Sequence, residues 1–309
     1  MANGSLPKAP FGFLNVNKPL YITSHDVVAK VRRKLGIRQV GHAGTLDPLA
    51  SGVLIVCVGR ATRLSDYVMA SVKQYRATVR FGAFTTTDDA EGEISAQHDA
   101  SGLTGTDVES ALPAFIGDIE QLPPMYSAIK QGGKKLYDIA RAGQTVERKL
   151  RPVSIQAITL TAWNPPEATL EVTCGSGTYI RSLARDLGAA LGVGAYLSGL
   201  VRTASGAFNI AQAVTLDEWL ATDTPTTALI PPQTALAHAP SLTLTPEQIR
   251  AVLYGQQIEQ TTPLDAPTVF AYTGDGDLIA ILRGVESRWQ PLKVFALNDD
   301  ADDDEPPKA

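Results

Sequence analysis

Apolar residues recur along this chain with two periods, and the change from one to the other marks out its elements. Lys73 to Phe81 alternates cleanly, with Tyr75, Ala77, Val79 and Phe81 on one face and Gln74, Arg76, Thr78 and Arg80 on the other. That spacing predicts a strand with one buried face and Tyr75 pointing inward at its start. Phe11 to Val16 reads as a short strand ended by Asn17-Lys18-Pro19, and Val53 to Val58 as a continuous apolar strand. Arg151 to Trp163 and Ala168 to Cys174 alternate as two more. Helical spacing appears at Val27, Val28, Val31 and Leu35, after an N-cap at Ser24 and before a closing Gly36. It appears again at Ile180, Leu183, Ala184 and Leu187, with Arg181 and Arg185 on another face.

Punctuating residues divide the rest. Ala83 to Glu109 is loop-rich, and Pro231 to Ser241 turns to Pro, Ala and Thr and reads as a linker. Gln121 to Lys130 is an extended, Pro-fixed lead-in to a short basic helix between Gly132 and Gly143, a segment suited to a flap over RNA. Thr245-Pro246-Glu247-Gln248 forms a capping box, with Gly255 ending its helix. Val269 to Tyr272 and Leu278 to Leu282 flank a Gly/Asp turn as a hairpin. The Gly175-Ser176-Gly177 turn lacks the third glycine of a dinucleotide fingerprint, since Ile180 stands in its place.

A chain of 309 residues with 44% hydrophobic content can bury a substantial core in one large domain or two. The net charge of -5 argues against nucleic-acid binding only until its distribution is read. The tail from Ala296 to Ala309 carries six acids against Lys308, so the remainder is neutral. Lys18 to Arg80 holds eleven Lys/Arg against three acids, and Glu120 to Arg151 seven against three. Local fields therefore matter more than the sum. Cys57 and Cys174 sit inside strand patterns, as buried thiols of a reducing compartment. The four histidines have no ligand spacing, so no metal is expected. No signal segment or membrane-spanning run is visible, and the expectation is a cytoplasmic protein.

The chemistry concentrates in Gly41-His42-Ala43-Gly44-Thr45-Leu46-Asp47-Pro48-Leu49-Ala50-Ser51-Gly52. A single acid among glycines and a proline marks an irregular loop, and its anchorage on an apolar strand places the acid as a nucleophile or general acid/base. A turn-forming Asp-Pro is the plainer alternative.

This run resembles the catalytic loop of the TruB family of tRNA pseudouridine synthases, and the resemblance extends from Gly12 to about Phe295. It recurs at Tyr75-Arg76-Ala77, at Gly177-Thr178-Tyr179-Ile180-Arg181, at Leu200 ahead of Arg202, and at Pro123-Pro124-Met125-Tyr126-Ser127-Ala128. It implies an α+β fold: a mixed/antiparallel-sheet catalytic domain over 1–240, with a thumb insertion at about 120–151. A small β-rich, PUA-like RNA-binding domain over 241–297 and a disordered acidic tail over 298–309 would follow. The family's function is isomerisation of one T-loop uridine of tRNA to pseudouridine, on a base flipped out of its stack. Asp47 would be the nucleophile, Arg181 would orient it through a charge-assisted pair, and Tyr75 would stack on the base and assist proton transfer. His42, Tyr75, Tyr179 and Leu200 would contact the substrate, and Lys18, Arg60, Lys130, Lys134, Lys135 and Arg141 are candidates for RNA phosphates. The reaction demands no cofactor. The expected partner is the tRNA T stem-loop, met by a monomer without an obligate protein partner. The alternatives are a non-catalytic RNA-binding protein or tRNA chaperone, a guide-RNA-dependent enzyme of ribosomal RNA, and a glycoside hydrolase drawing a second carboxylate from Asp88, Asp89 or Glu91. The stretch from Ala211 to Pro240 and the acidic tail depart from the family pattern.

Overall fold

The computed structural model describes residues 10–127, 130–131, 134–135, 147–260 and 266–295. The acidic tail expected over 298–309, and most of the expected basic helix after Gly132, lie outside the described residues.

The alternating segments become strands of one mixed sheet of ten. It is built from β1 (Gly12–Lys18), β2 (Val40–Ala43), β3 (Ala50–Val58), β4 (Lys73–Phe81), β7 (Gly117–Gln121), β10 (Arg151–Asn164), β11 (Glu167–Cys174), β12 (Ala195–Ser205), β13 (Phe208–Asn209) and β14 (Val214–Thr215). The order is β14-β1-β3-β12-β4-β11-β10-β7, with β2 on β3 and β13 on β12. Most pairs are antiparallel; β3 with β12 and β1 with β14 are parallel. Small hairpins, β5 (Ala83–Thr85) with β6 (Ile94–Gln97) and β8 (Lys130–Gln131) with β9 (Lys134–Lys135), project from it. Lys134 and Lys135 are therefore strand residues and not, as the glycine-bounded pattern predicts, part of a helix.

A second, five-stranded sheet joins β15 (Ser241–Thr243), β16 (Ile258–Glu259), β17 (Thr268–Tyr272), β18 (Leu278–Val285) and β19 (Arg288–Val294) in the order β15-β17-β18-β19-β16. Its capping box forms as read: Thr245 caps Pro246–Leu253 reciprocally with Gln248.

Two apolar clusters cover the two faces of the large sheet. The first packs Val27, Val28 and Val31 of the Ser24–Leu35 helix, and Leu183 and Leu187 of the Ile180–Ala190 helix, over Leu14, Leu54, Tyr75 and Leu170. The second joins Phe13, Ile55 and Cys57 to Phe270, Tyr272, Ile281 and Phe295, so the small sheet is packed against the large one. The Pro231 to Ser241 stretch is not a free linker. Pro232–Ala235 is a short helix, and Ala235 and Leu236 are buried in that second cluster. Its low-hydropathy composition hides two apolar side chains that suffice to dock it. Both cysteines are free and buried, which pushes the Cys57 thiol up to about 12 and the Cys174 thiol to about 11. Among the described residues no helix is long and apolar enough to cross a membrane.

Candidate active site

The Asp47 segment is a hairpin connection more than an irregular loop. β2 pairs antiparallel with β3, His42 opposite Val56, so residues 44–49 only have to turn the chain. Gly44 makes the turn with φ +94°, where a side chain would be strained. Three clamps then fix it. The Ser24 hydroxyl accepts from the Leu46 N–H at 2.9 Å and donates to the Leu46 carbonyl at 3.0 Å. Ser24 is thus turned inward, and the helix cap predicted there is supplied by Thr23, in a capping box with Asp26. The Tyr21 N–H donates to the Pro48 carbonyl at 2.8 Å, and the Ala50 N–H to the Asp47 carbonyl at 3.0 Å. Third, the fully buried Arg202 of β12 donates to the carbonyls of Val53 (2.7 Å), Gly44 (3.0 Å) and Thr45 (3.5 Å). Spending its donors on carbonyls is what makes a buried guanidinium tolerable. The backbone of Asp47 is held while its carboxylate stays 42% exposed.

Arg181 stands in the first turn of the Ile180–Ala190 helix, only 6% exposed. One guanidinium nitrogen lies 2.9 Å from the Asp47 carboxylate and donates to the Tyr126 carbonyl at 2.8 Å. The other lies 3.4 Å from Asp89 and donates to the Thr87 carbonyl at 3.3 Å. Asp89, 8% exposed, accepts from the Thr87 hydroxyl and from the Glu91 N–H at 3.1 Å. One cation thus joins a buried carboxylate to an open one. The buried one anchors the cation, and the cation aims the open one. A second pair supports this loop: Arg185 bonds Asp88 at 2.9 Å and the Leu122 carbonyl at 2.9 Å.

Asp47, Asp89 and Arg181 form the polar end of a small cleft, whose other walls are Leu49, Ala50, Leu197, Ser198, Gly199 and Leu200. Leu200 lies beside Ala50 across the parallel β3–β12 pair, and the strand is bulged at Leu197/Gly199. Tyr75, Tyr179 and His42 are not among the lining residues. Tyr75 faces Arg202 across β4–β12 and is 8% exposed. Burial raises its pKa above the ordinary tyrosine value. Tyr179 is half-buried at the helix start, its N–H donating to Gln121 Oε1 at 2.8 Å. Burial pushes its hydroxyl up as well. His42 is half-buried, edge-on to His25 with ring centroids 5.2 Å apart. Burial, with the His25 and Arg202 charges, lowers its pKa to about 4, so it is a neutral ring at pH 7.

The phosphate candidates fare differently. Lys18 is fully buried, its ammonium donating to the carbonyls of Pro19 and Ile22 at 2.8 Å each, and burial lowers its pKa to about 8. It ties the turn into the helix and cannot reach RNA. Arg60 lays its guanidinium 4.9 Å over the Phe11 ring, which packs against the second cluster, away from the cluster that holds Tyr75 and Leu46. Lys130, Lys134 and Lys135 lie on the β8–β9 hairpin, and Arg141 lies outside the described residues. Among the described residues no group of His, Cys, Asp or Glu is placed to hold a metal. Asp89 and Arg202 are the residues that sequence reasoning misses. Asp89 reads as one acid of a polar loop, and Arg202 as a side chain on a strand. Their partners are more than ninety residues distant, at spacings that no local pattern encodes.

The mixed sheet and its helices have the fold of the pseudouridine synthases. The fold superposes on solved members of that class. The protein of a Cbf5–Nop10–Gar1 complex matches with a TM-score of 0.73 at 25% identity, over 96% of this chain and 90% of that one. An H/ACA ribonucleoprotein bound to a substrate RNA gives the same score at 24% identity, over 94% and 87%. Residues 32–180 match the N-terminal domain of the TruB family pseudouridylate synthases, and 181–230 the tRNA pseudouridylate synthase B C-terminal domain. Proteins named tRNA pseudouridine synthase B are 52% identical in Symbiobacterium thermophilum (79% of this chain, 82% of that one) and 45% identical in Thermobifida fusca (92% and 98%). The chain belongs to the TruB family of pseudouridylate synthases, which are isomerases.

Proposed function

We propose that this enzyme isomerises one uridine in the T loop of tRNA to pseudouridine, with Asp47 as nucleophile. The C1′–N1 bond breaks, the uracil turns, and C1′ bonds to C5. The C5 hydrogen leaves as a proton and N1 gains one, so no oxidant, water or cofactor is consumed. Breaking the first bond builds positive charge at C1′, which a carboxylate takes up, as in glycoside hydrolysis. The observation that carries this reading is the Asp47–Arg181–Asp89 arrangement, in which Asp47 is the exposed carboxylate and Asp89 the buried one. The apolar walls suit a chemistry that must keep water from the glycosyl centre. Asp89 is no second catalytic carboxylate of a glycosidase, being buried and spent on Arg181, Thr87 and Glu91. Arg181 positions Asp47, Leu200 bounds the pocket, and Tyr75 and Tyr179 take the flipped base as the pocket opens to it. The neutral His42 fits the gap that the base leaves.

The names of the relatives support tRNA as substrate, and we read the enzyme as working without guide RNA or protein subunits, although the solved Cbf5 chains share its fold. We read 1–240 as the catalytic domain with a thumb at about 120–151, and 241–297 as a PUA-like RNA-binding module. The buried, unpaired cysteines suit the cytoplasm. The test is an unmodified tRNA transcript incubated with the enzyme and a chelator, with pseudouridine mapped by base-specific chemical labelling. One T-loop uridine converts. Conversion elsewhere, or none, contradicts the reading.

A further inference from the structure

Tyr21 is a residue that folding does not explain. Its backbone is left-handed, with φ +66°, a region that a bulky side chain adopts only under strain. Its ring is 77% exposed. Neighbouring Leu20 is exposed too. A glycine would remove the strain and the exposed apolar surface together, so neither packing nor backbone geometry favours tyrosine there.

The placement gives a reason. The Tyr21 N–H holds the Pro48 carbonyl, one residue from the nucleophile, and Leu49 of the same turn lines the cleft. Lys18 locks the same segment from the inside through the carbonyls of Pro19 and Ile22. The ring is thus fixed at the backbone and free at its faces. The Ser24–Leu35 helix that follows carries exposed His25, Lys30, Arg32 and Arg33, with Asp26 in its first turn. An exposed aromatic face on a rigid turn is what an unstacked nucleic-acid base requires.

We propose that Tyr21 is a substrate-binding residue, whose ring stacks on a nucleotide flanking the uridine drawn into the Asp47 cleft. The bracing of this turn by Lys18 and Pro48 serves that contact. The inference rests on the RNA-modifying reading above.

The test compares wild type, Tyr21→Gly and Tyr21→Phe on the unmodified transcript, with steady-state kinetics and thermal melting. Loss of one base-stacking contact is worth about 5- to 150-fold. Tyr21→Gly therefore raises KM for the transcript by about that factor, while its melting temperature equals or exceeds that of wild type. Tyr21→Phe restores KM, because the ring and not the hydroxyl makes the contact. A KM for Tyr21→Gly within about twofold of wild type overturns the proposal, as does an equal loss in Tyr21→Phe. A fall in kcat with KM unchanged also overturns it. Failure of wild type to modify the transcript sinks the RNA reading itself, and is thereby told apart from failure of this contact alone.

Discussion

At the scale of single residues the site is an electrostatic arrangement of three side chains, and it fails asymmetrically. Arg181→Met leaves Asp89 buried without its cation, a cost of about 3–5 kcal/mol of stability. Adding Asp89→Asn to that variant recovers part of the stability but none of the activity, because Asp47 has still lost its orienting partner. Denaturant unfolding and turnover measured side by side check both statements. Asp89→Asn alone keeps the cation but weakens its anchor, and kcat falls about tenfold with little change in KM. His42 gives a pH dependence. Its pKa is about 4 in the folded protein against 6.5 ordinarily, so the unfolded chain takes up the proton first. Stability is therefore lost as pH falls from about 6.5 towards 4, by about 2 kcal/mol after allowance for the ring's partial exposure. His42→Gln flattens that part of the stability–pH curve. A curve unchanged by the substitution refutes the assigned burial. Asp47 and Arg181 are legible in the sequence because each stands in a long, specific motif. Asp89 and Arg202 are not, because what makes them matter is burial and a partner far along the chain.

At the scale of elements, the two hydrophobic periods reproduce the main strands and helices within a few residues, since they report which face is buried. What they cannot report is pairing. The run around Asp47 reads as an irregular loop, yet half of it is β2 and β3, because the strand pairing and the side chains that hold it, Ser24 and Arg202, come from elsewhere along the chain. Gly52 shows how tight that pairing is. It has φ +97°, and a Cβ there would lie 2.3 Å from the Arg202 carbonyl oxygen. Gly52→Ala must push β12 away from β3, which moves Arg202 off its three carbonyls and with it the Asp47 turn. The expected result is a loss of about 2–5 kcal/mol in chemical denaturation and a fall in kcat, not in KM alone. Unchanged stability contradicts the close strand approach. The Pro/Ala/Thr stretch before the second sheet is the opposite case. Its composition signals a linker, but Ala235 and Leu236 are docked in the core.

At the scale of the whole molecule, the two sheets share the second apolar cluster, so the C-terminal module is a structural partner of the catalytic sheet as well as a proposed RNA-binding one. Truncation after Pro240 uncovers Phe13, Ile55 and Cys57, lowers the melting temperature and increases binding of a hydrophobic dye. A truncated protein as stable as the full chain would contradict that packing. RNA affinity carried by the basic regions falls at least about tenfold between roughly 50 and 200 mM salt, despite the negative net charge. The sum of charges, read alone, points the wrong way because six acids sit in the last fourteen residues.

The most direct test is Asp47→Asn, which keeps the side chain's size, assayed against wild type on the same unmodified transcript for product and for binding. The account predicts no pseudouridine from the variant at any time, with transcript affinity within about threefold of wild type. Pseudouridine formed by the variant at a measurable fraction of the wild-type rate would contradict Asp47 as nucleophile.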